Sequence, residues 1–328
     1  MLKNIVDISI IITTYNREKN LFKIISLLSK QNNIFKNNIE IIICDSNSKK
    51  KNSILTYIKN FLNLNIFYYN CPINHQAYKR NYGAKKSKGR YLVFIDDDCF
   101  PDSNFLYNYL NILKLNRNRA IYCGLVKYVV FNKIKNLILY RQSRLISSKD
   151  EMQNSIPPKN FISMNMALNK HDILFKKKYL FNNKFRFYGF EDYEFAYRLE
   201  RRFYKFYLTK ALIYHNDQRT FDDFLRKYHF LGNFGIMDII RINFSAAKDT
   251  IYYKIEKNFI IALILKIPGI FSILNFIEHL IIVTETKIKI YLPILYKTGI
   301  FIAYLKGILQ RYSKYKNTYL INHNNWYK

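Results

Sequence analysis

The sequence predicts an α/β fold on a mostly parallel sheet, followed by a helical C-terminal extension. Three observations carry this. Through the first third of the chain, short apolar runs alternate with stretches of helical periodicity. Polar residues crowd the carboxyl ends of those runs, where ligands of such sheets bind. Past about residue 244 the pattern gives way to long, nearly all-apolar segments.

The elements follow in order. ISIIIT (8–13) is a first strand. REKNLFKIISLL then sets Leu21, Ile24, Ile25 and Leu28 on one helical face. IEIIIC (39–44) is a second strand, and Ile54, Leu55, Ile58, Phe61 and Leu62 mark a second helix face. NIFYYN (65–70) and YLVFI (91–95) are the third and fourth strands. A helix opening at Pro101 follows, with Phe105, Leu106, Tyr109, Leu110 and Leu113 inward. From 128 to 160 the pattern weakens and predicts loops. A compact region resumes at FISMNMALNK (161–170). Residues 189–208 read as a loop, a helix with Phe195, Leu199 and Phe203 inward, and a strand that ends at LIYHND (212–217).

Composition narrows the function classes. The 328-residue chain carries 53 Lys plus Arg against 23 Asp plus Glu, a formal charge of +30. Such a field favours anionic partners: nucleotides, nucleic acid or an acidic membrane surface. Lys, Asn, Ile, Tyr and Phe are all abundant together, so biased coding contributes to that total. Cys44, Cys71, Cys99 and Cys123 show neither C-x-x-C nor zinc spacing and read as reduced thiols. The first apolar run is too short for the core of a signal peptide.

YLVFIDDDCFP (91–101) is the most telling stretch. An apolar strand ends in Asp96, Asp97 and Asp98. Alternation along an extended chain turns Asp96 and Asp98 to one side and Asp97 to the other. Clustered carboxylates raise one another's pKa, and a divalent cation removes that cost. An acidic cap on the next helix is the plainer alternative. TTYNR (13–17) ends the first strand with hydroxyls, a ring and Arg17, while Asn16 also suits a helix cap. CDSNS (44–48) ends the second strand with Asp45, a hydrogen-bond acceptor for a base or ribose, or else a capping turn. Residues 75–94 supply Arg80, Lys85, Lys86 and Lys88, either a solvated basic face or one arginine aimed at a diphosphate.

Taken in order, ISIIITTYNR, IEIIICDSNS, KRNYGAKKSKGRYLVFIDDDCFP and GFEDYEFAYRL resemble the motifs of family 2 glycosyltransferases with the GT-A fold. The resemblance spans roughly the first two-thirds of the chain. It is similar in particular to bacterial enzymes that build capsules and O-antigens. It implies that Thr13, Tyr15, Arg17, Asp45, Arg80, Asp96 and Asp97 hold the nucleotide, with Asn81 beside Arg80. It implies Asp98 on Mn²⁺ or Mg²⁺, with His215 a candidate second ligand and a capped histidine its alternative. Asp192 matches the general base, with Glu191 its neighbour. Ser46 and Cys99 stand where the family often has acids. Asn165, in SMNMALN, is the candidate acceptor contact; a core strand is the alternative.

The expected protein is an inverting, metal-dependent transferase. Its donor is a nucleotide-sugar, UDP-linked first, and its acceptor a hydroxyl of a glycan or lipid-linked glycan. Residues 1–220 form the catalytic unit and 221–328 the extension. Transfer to a polyprenyl phosphate is the enzymatic rival; a basic nucleic-acid- or membrane-binding protein without catalysis is the other. The ordered acidic motifs argue against a nucleic-acid groove. Segments 259–277 and 290–309 approach spanning length but carry Lys266 and Pro268, and Pro293 and Lys297. They read as an interfacial surface, a shallow hairpin or a dimer face, and the first is favoured. The expected location is cytoplasmic, peripheral at the inner face of the cell membrane, on anionic lipid.

Overall fold

The computed structural model describes residues 7–31, 38–46, 49, 51–145, 156–174, 180–287 and 290–312. Its N-terminal half alternates as the sequence predicts: β1 (Ile8–Thr14), α1 (Glu18–Ser29), β2 (Ile39–Asp45), α2 (Lys51–Ile58), β3 (Asn65–Asn70), α3 (Gln76–Lys86) and β4 (Tyr91–Asp96). There follow β5 (Cys99–Pro101), α4 (Phe105–Leu113), β6 (Ala120–Tyr128), α5 (Lys135–Gln142), β7 (Asn165–Asn169), α6 (Lys170–Leu174), α7 (Glu191–Glu200) and β8 (Lys205–His215). Helices α8 (Phe221–Phe230), α9 (Ile236–Ile242), α10 (Phe244–Lys248), α11 (Ile251–Glu256), α12 (Phe259–Ile264), α13 (Ile270–Lys287) and α14 (Pro293–Tyr312) complete the chain.

One eight-stranded sheet runs β3-β2-β1-β4-β7-β6-β8-β5. The first four strands are parallel. β7 is antiparallel to both β4 and β6, β8 is parallel to β6, and β5 is antiparallel to β8. The sheet is therefore mixed beyond β4. β1 and β2 are buried along their whole length, which is why they read as isoleucine runs, interrupted only by Ser9 and Glu40, which bond each other, before their polar ends. β3 sits at the edge and alternates between exposed and half-buried. Leu21, Ile24, Ile25 and Leu28 of α1 pack against one face of the sheet; Ala77 and Ala84 of α3 pack on the other.

Gly83 sets the closeness of α3. A Cβ there would stand 2.6 Å from Ile11 Cγ2 and 2.9 Å from Cys44 Sγ. The glycine lets α3 lie directly on β1 and β2, bringing Lys79 and Arg80 to the carboxyl ends of the strands.

Several local expectations fail. Pro101 ends β5, and the helix begins only at Phe105. In the second helix only Ile54 is buried; Leu62 lies beyond its end, 92% exposed. Phe203 follows α7 in a left-handed turn at φ 63° and is 80% exposed rather than inward. The stretch expected to be loops contains α5, whose Leu137, Ile138 and Tyr140 are buried. Periodicity missed it because Arg141 and Gln142 also turn inward, Arg141 to Asp217 and Gln142 to the backbone of β6.

Thr220 and Asp223 form a capping box that starts α8 directly after β8. The C-terminal helices pack on α5 and α8 through a shared cluster that includes Leu137, Phe224, Leu225, Tyr296 and Tyr304. A Cβ at Gly307 would meet His229 O at 2.1 Å, and one at Gly232 would meet Tyr304 O at 2.3 Å. α14 is thus a tightly seated core helix, which overturns the hairpin reading of 290–309. No helix among the described residues is long and apolar enough to cross a membrane. The apolar residues of α12, in contrast, are largely exposed, and α13 exposes Ile273, Phe276 and Leu280 while burying Leu274 and Ile281.

Candidate active site

Strand register gathers the site. Thr13 pairs with Asp96 across β1 and β4, and Thr14 with Asp45 across β1 and β2, so three strands end at one height. The reversal of the chain into β5 pairs Cys99 with His215, bringing the end of β8 to the same place. A cleft of about 590 Å³ opens there, lined by Tyr15, Asp96, Asp98, Asp192, His215 and others.

The three aspartates have separate partners. Asp96 Oδ1 accepts from Arg80 Nη2 at 2.8 Å. Asp97 is buried; its oxygens accept from Thr14 Oγ1 and Arg17 Nη1, both at 2.9 Å. Burial pushes its carboxyl up, against the pull of Arg17. Asp98 Oδ2 accepts from the same Arg17 nitrogen at 2.9 Å, and its Oδ1 lies 3.3 Å from His215 Nε2. Burial alone would raise Asp98; His215, Arg17 and Arg219 outweigh it and hold the carboxyl below the usual range. Asp97 therefore works inside the site, fixing Arg17, while Asp96 and Asp98 remain partly exposed.

α7 brings the acidic pair. Gly189 (φ 109°) and Phe190 (φ 64°) both stand in the left-handed region just before it. A bulky residue held there is costly, and such strain gathers at functional sites. The turn sends Glu191 inward, where its Oε2 accepts from Gly189 N at 2.9 Å. Burial, then the neighbouring Asp192 charge, pushes Glu191 up to about 7. Asp192 stays half-exposed in the cleft. Its Oδ1 accepts from Ser163 Oγ at 2.5 Å and Arg80 Nη1 at 3.3 Å; its Oδ2 accepts from Ser163 N at 3.2 Å. Arg80 is 3% exposed and therefore rigid, and it ties Asp192 to Asp96.

The remaining sequence-derived residues lie deeper. Tyr15 lines the cleft. Asp45 is fully buried and accepts from Tyr68 Oη at 2.6 Å. Thr13 is 1% exposed, its hydroxyl without a hydrogen-bond partner among the described residues. Asn81 binds Phe181 and Asn183, securing the loop before α7. The Asn165 expectation is corrected. That side chain is fully buried, accepts from Tyr109 Oη at 2.6 Å and donates to Leu125 O and Ala211 O, both at 2.9 Å. It stitches β7 to its neighbours and offers a sugar nothing. Ser48 lies outside the described residues.

Asp98, Cys99 and His215 present heteroatoms within 4.8 Å of one another. Burial drives the Cys99 thiol well above its ordinary pKa, so it stays neutral. The Asp98 carboxylate suits Mn²⁺ or Mg²⁺, and the His215 imidazole adds a softer nitrogen donor beside it. His215 Nδ1 is buried without a partner among the described residues.

Sequence reasoning missed a second set. Arg141 Nη2 donates to Asp217 Oδ2 at 2.7 Å, and Arg219 Nε to Asp217 Oδ1 at 2.8 Å. Arg141, Arg219 and Lys227 all line the cleft. NDQR just past His215 was the available signal: a strand end with charges of both signs. Ser163 carried no signal beyond its nearness to β7.

The family profile described as "Glycosyl transferase family 2" matches residues 9–175, just over half of the chain. The chain belongs to glycosyl transferase family 2. Among curated relatives, the Escherichia coli chondroitin synthase is 26% identical over 246 residues, 64% of this chain and 34% of that protein. The Pasteurella multocida chondroitin synthase is 27% identical over 232 residues, 60% of this chain and 23% of that one. This chain thus spans about a third or less of the length of those two relatives. Among solved structures, the mannosyltransferase PcManGT of Pyrobaculum calidifontis, in complex with GDP-Man and Mn²⁺, has a TM-score of 0.57 at 15% identity, covering 93% of this chain and 86% of its own. Staphylococcus aureus TarS 1–349 in complex with UDP-GlcNAc has a TM-score of 0.52 at 14% identity, covering 92% and 90%. The mixed α/β sheet is that of the GT-A glycosyltransferases.

Proposed function

We propose that this protein is an inverting, metal-dependent glycosyltransferase. It moves a sugar from a nucleotide-sugar, UDP-linked in the first instance, to a hydroxyl of a glycan or lipid-linked glycan in surface polysaccharide synthesis. The observation that carries this reading is the Arg80 guanidinium, bonded at once to Asp96 at 2.8 Å and Asp192 at 3.3 Å. One rigid cation joins the donor-side carboxylate to a carboxylate placed to meet an acceptor.

In this reading Tyr15 stacks on the base, with Thr13 and Asp45 at the strand ends behind it. Asp96 meets the ribose, and Asp97 serves by holding Arg17 across the nucleotide side of the cleft. Asp98 and His215 would hold Mn²⁺ or Mg²⁺, which as a Lewis acid offsets the charge on the departing diphosphate. PcManGT, solved with Mn²⁺, supports a divalent ion on this fold. Arg80 adds fixed positive charge in a water-poor setting, where it is worth most.

Asp192 takes the acceptor proton. Ser163 and Arg80 fix its carboxylate, which is kept half-exposed to incoming substrate. Glu191 is buried and turned inward onto Gly189 N, so it is a poorer candidate and positions the start of α7 instead. Attack from the face opposite the leaving diphosphate inverts the anomeric carbon.

The exposed side of α11 to α13 supports attachment to an anionic bilayer at the cytoplasmic face. Phe259, Ile260, Ile267 and Phe276 are each at least 50% exposed, with exposed Lys254, Lys257 and Lys266 beside them. Residues 221–328 then act as the membrane-directed part of the molecule.

Calorimetric titration with UDP, with and without Mn²⁺, tests the reading on the wild type and Asp98→Asn. Metal-dependent binding lost in the variant is the expected result. Failure of UDP, GDP and dTDP alike to bind the wild type would overturn it.

A further inference from the structure

The cleft has a basic wall that the transfer step leaves unused. α5 and the turn after it supply Arg141 and Arg144, the β8–α8 turn supplies Arg219, and α8 supplies Lys227; all four line the cleft. Arg141 and Arg219 share a single carboxylate, Asp217. Among the described residues no carboxylate pairs with Arg144, whose Nη1 donates to Tyr228 Oη at 3.0 Å. The Lys227 ammonium likewise lacks a carboxylate partner there and sits 4.9 Å from the Tyr188 ring centroid. Arg141 is 7% exposed, and its Nη1 is buried without a hydrogen-bond partner among the described residues. Arg141, Arg219 and Lys227 gather around one carboxylate and repel one another. Burial, then Arg219 and Arg141, pushes Lys227 down to about 7. A bound anion would relieve that repulsion and fill the open donor position on Arg141.

The position of the wall decides which anion. Arg219 is close enough to Asp98 to depress its carboxyl, so it belongs to the donor half. Arg144 is surrounded instead by Tyr228, Tyr140 and Tyr252. Lys227 feels the charge of Glu191, the neighbour of Asp192. An acceptor that presents its hydroxyl to Asp192 would extend its other residues toward Lys227 and Arg144.

We propose that Arg144, Lys227 and the open Nη1 of Arg141 form an acceptor subsite for an acidic group, a sugar carboxylate or a phosphodiester of the growing glycan. The inference rests on the reading of Asp192 as the acceptor's base. It narrows the substrate class from a glycan to an anionic glycan.

The test uses the full chain with UDP and Mn²⁺ and three probes: a glucuronate-containing oligosaccharide, its carboxyl-reduced counterpart and a short oligo(glycerol phosphate). One acidic probe should bind at least about tenfold more tightly than the reduced saccharide, as a charge-assisted contact predicts. Which acidic probe binds separates carboxylate from phosphodiester. Arg144→Gln and Lys227→Gln should each erase the preference and leave UDP affinity unchanged. Arg144 is exposed, so its variant keeps the fold even where Lys227→Gln does not. Failure of both acidic probes to bind more tightly than the reduced saccharide, or loss of UDP affinity in place of acid preference, would each overturn the proposal. The saccharide comparison is repeated without nucleotide. Wild-type protein that binds no UDP yet prefers an acidic probe would refute the transfer reading alone.

Discussion

His215 Nε2 lies 3.3 Å from Asp98 Oδ1, joining residues 117 positions apart in the chain. The β5–β8 pairing, with Cys99 opposite His215, fixes that distance. Neither strand alone would bring a carboxylate and an imidazole together at the mouth of a nucleotide-sized cleft. Asp98→Asn should abolish Mn²⁺-dependent UDP binding. His215→Gln should weaken it by about tenfold or more, the scale of a disturbed metal shell. Titrations with and without Mn²⁺ read both. Wild-type metal dependence in the two variants would remove this pair as the ion's site.

Asp192 is held by Ser163 and Arg80 but not consumed by them. Asp192→Asn keeps the shape and the hydrogen-bond acceptor while losing the basicity. Turnover on a hydroxyl acceptor should fall by about 10²–10⁴-fold, with UDP affinity within a factor of about two. Nucleotide release in the presence of acceptor measures it. A polyprenyl phosphate arrives already ionised and needs no base. Near-wild-type turnover in the variant would point to that acceptor instead.

Glu191 gives the fold a pH dependence whose sign can be worked out. Its carboxyl is raised from 4.5 to about 7 in the folded chain, by burial first and by Asp192 second. The folded state then binds the proton more tightly than the unfolded state does. Stability from this group is full below about pH 4.5 and is lost as pH rises through 7. Glu191→Gln should flatten that decline and gain up to about 3 kcal/mol at pH 8. Urea midpoints at pH 5 and pH 8 decide it. An equal effect of the substitution at both values would show that Glu191 does not titrate in this range.

Gly83→Ala tests how α3 is seated. Alanine gains helix propensity of about 1 kcal/mol over glycine. Its Cβ would stand 2.6 Å from Ile11 Cγ2 and 2.9 Å from Cys44 Sγ, both in the core. Overpacking of that kind costs about 1–3 kcal/mol and should win, lowering the melting temperature by several degrees. The displaced helix carries Arg80, so UDP affinity should fall as well. An unchanged melting temperature would mean that overpacking costs no more than the roughly 1 kcal/mol the helix gains.

Much of the cleft's acidic side was legible because its residues sit where strands end, and strand ends can be read from apolar runs. Asp96, Asp98 and Asp192 are adjacent to such runs or to a helix start. Their convergence was not legible: it depends on β5 reversing against β8, and a three-residue strand containing Pro101 leaves no periodic trace. The basic wall escaped for a related reason. Arg141 faces inward from a helix whose apolar face it interrupts, and its partner Asp217 lies 76 residues away. Asn165 misled because a buried amide that stitches strands resembles, in sequence, one that meets a sugar. The C-terminal segments misled because hydrophobicity alone does not distinguish α14, seated on α8 through Gly307, from α12, which keeps most of its apolar residues outside.

That outward face supports the last expectation. Phe259 is 74% exposed, Ile260 66% and Phe276 62%, far more apolar exposure than the core-facing residues of α14 show. Lys254, Lys257 and Lys266 frame the patch, and the chain as a whole carries +30. Each lysine near an anionic surface contributes about 1 kcal/mol, and that share is screened by salt. The apolar share is not. Binding to vesicles with 30% phosphatidylglycerol should therefore weaken, but not vanish, between about 50 and 500 mM salt. Phe259→Asp with Phe276→Asp should remove the salt-resistant part and leave UDP binding intact, since neither residue lines the cleft. Co-sedimentation separates the two contributions. If the double variant instead turns a dimer into a monomer with vesicle binding unchanged, the patch joins two copies of this chain and the membrane reading falls.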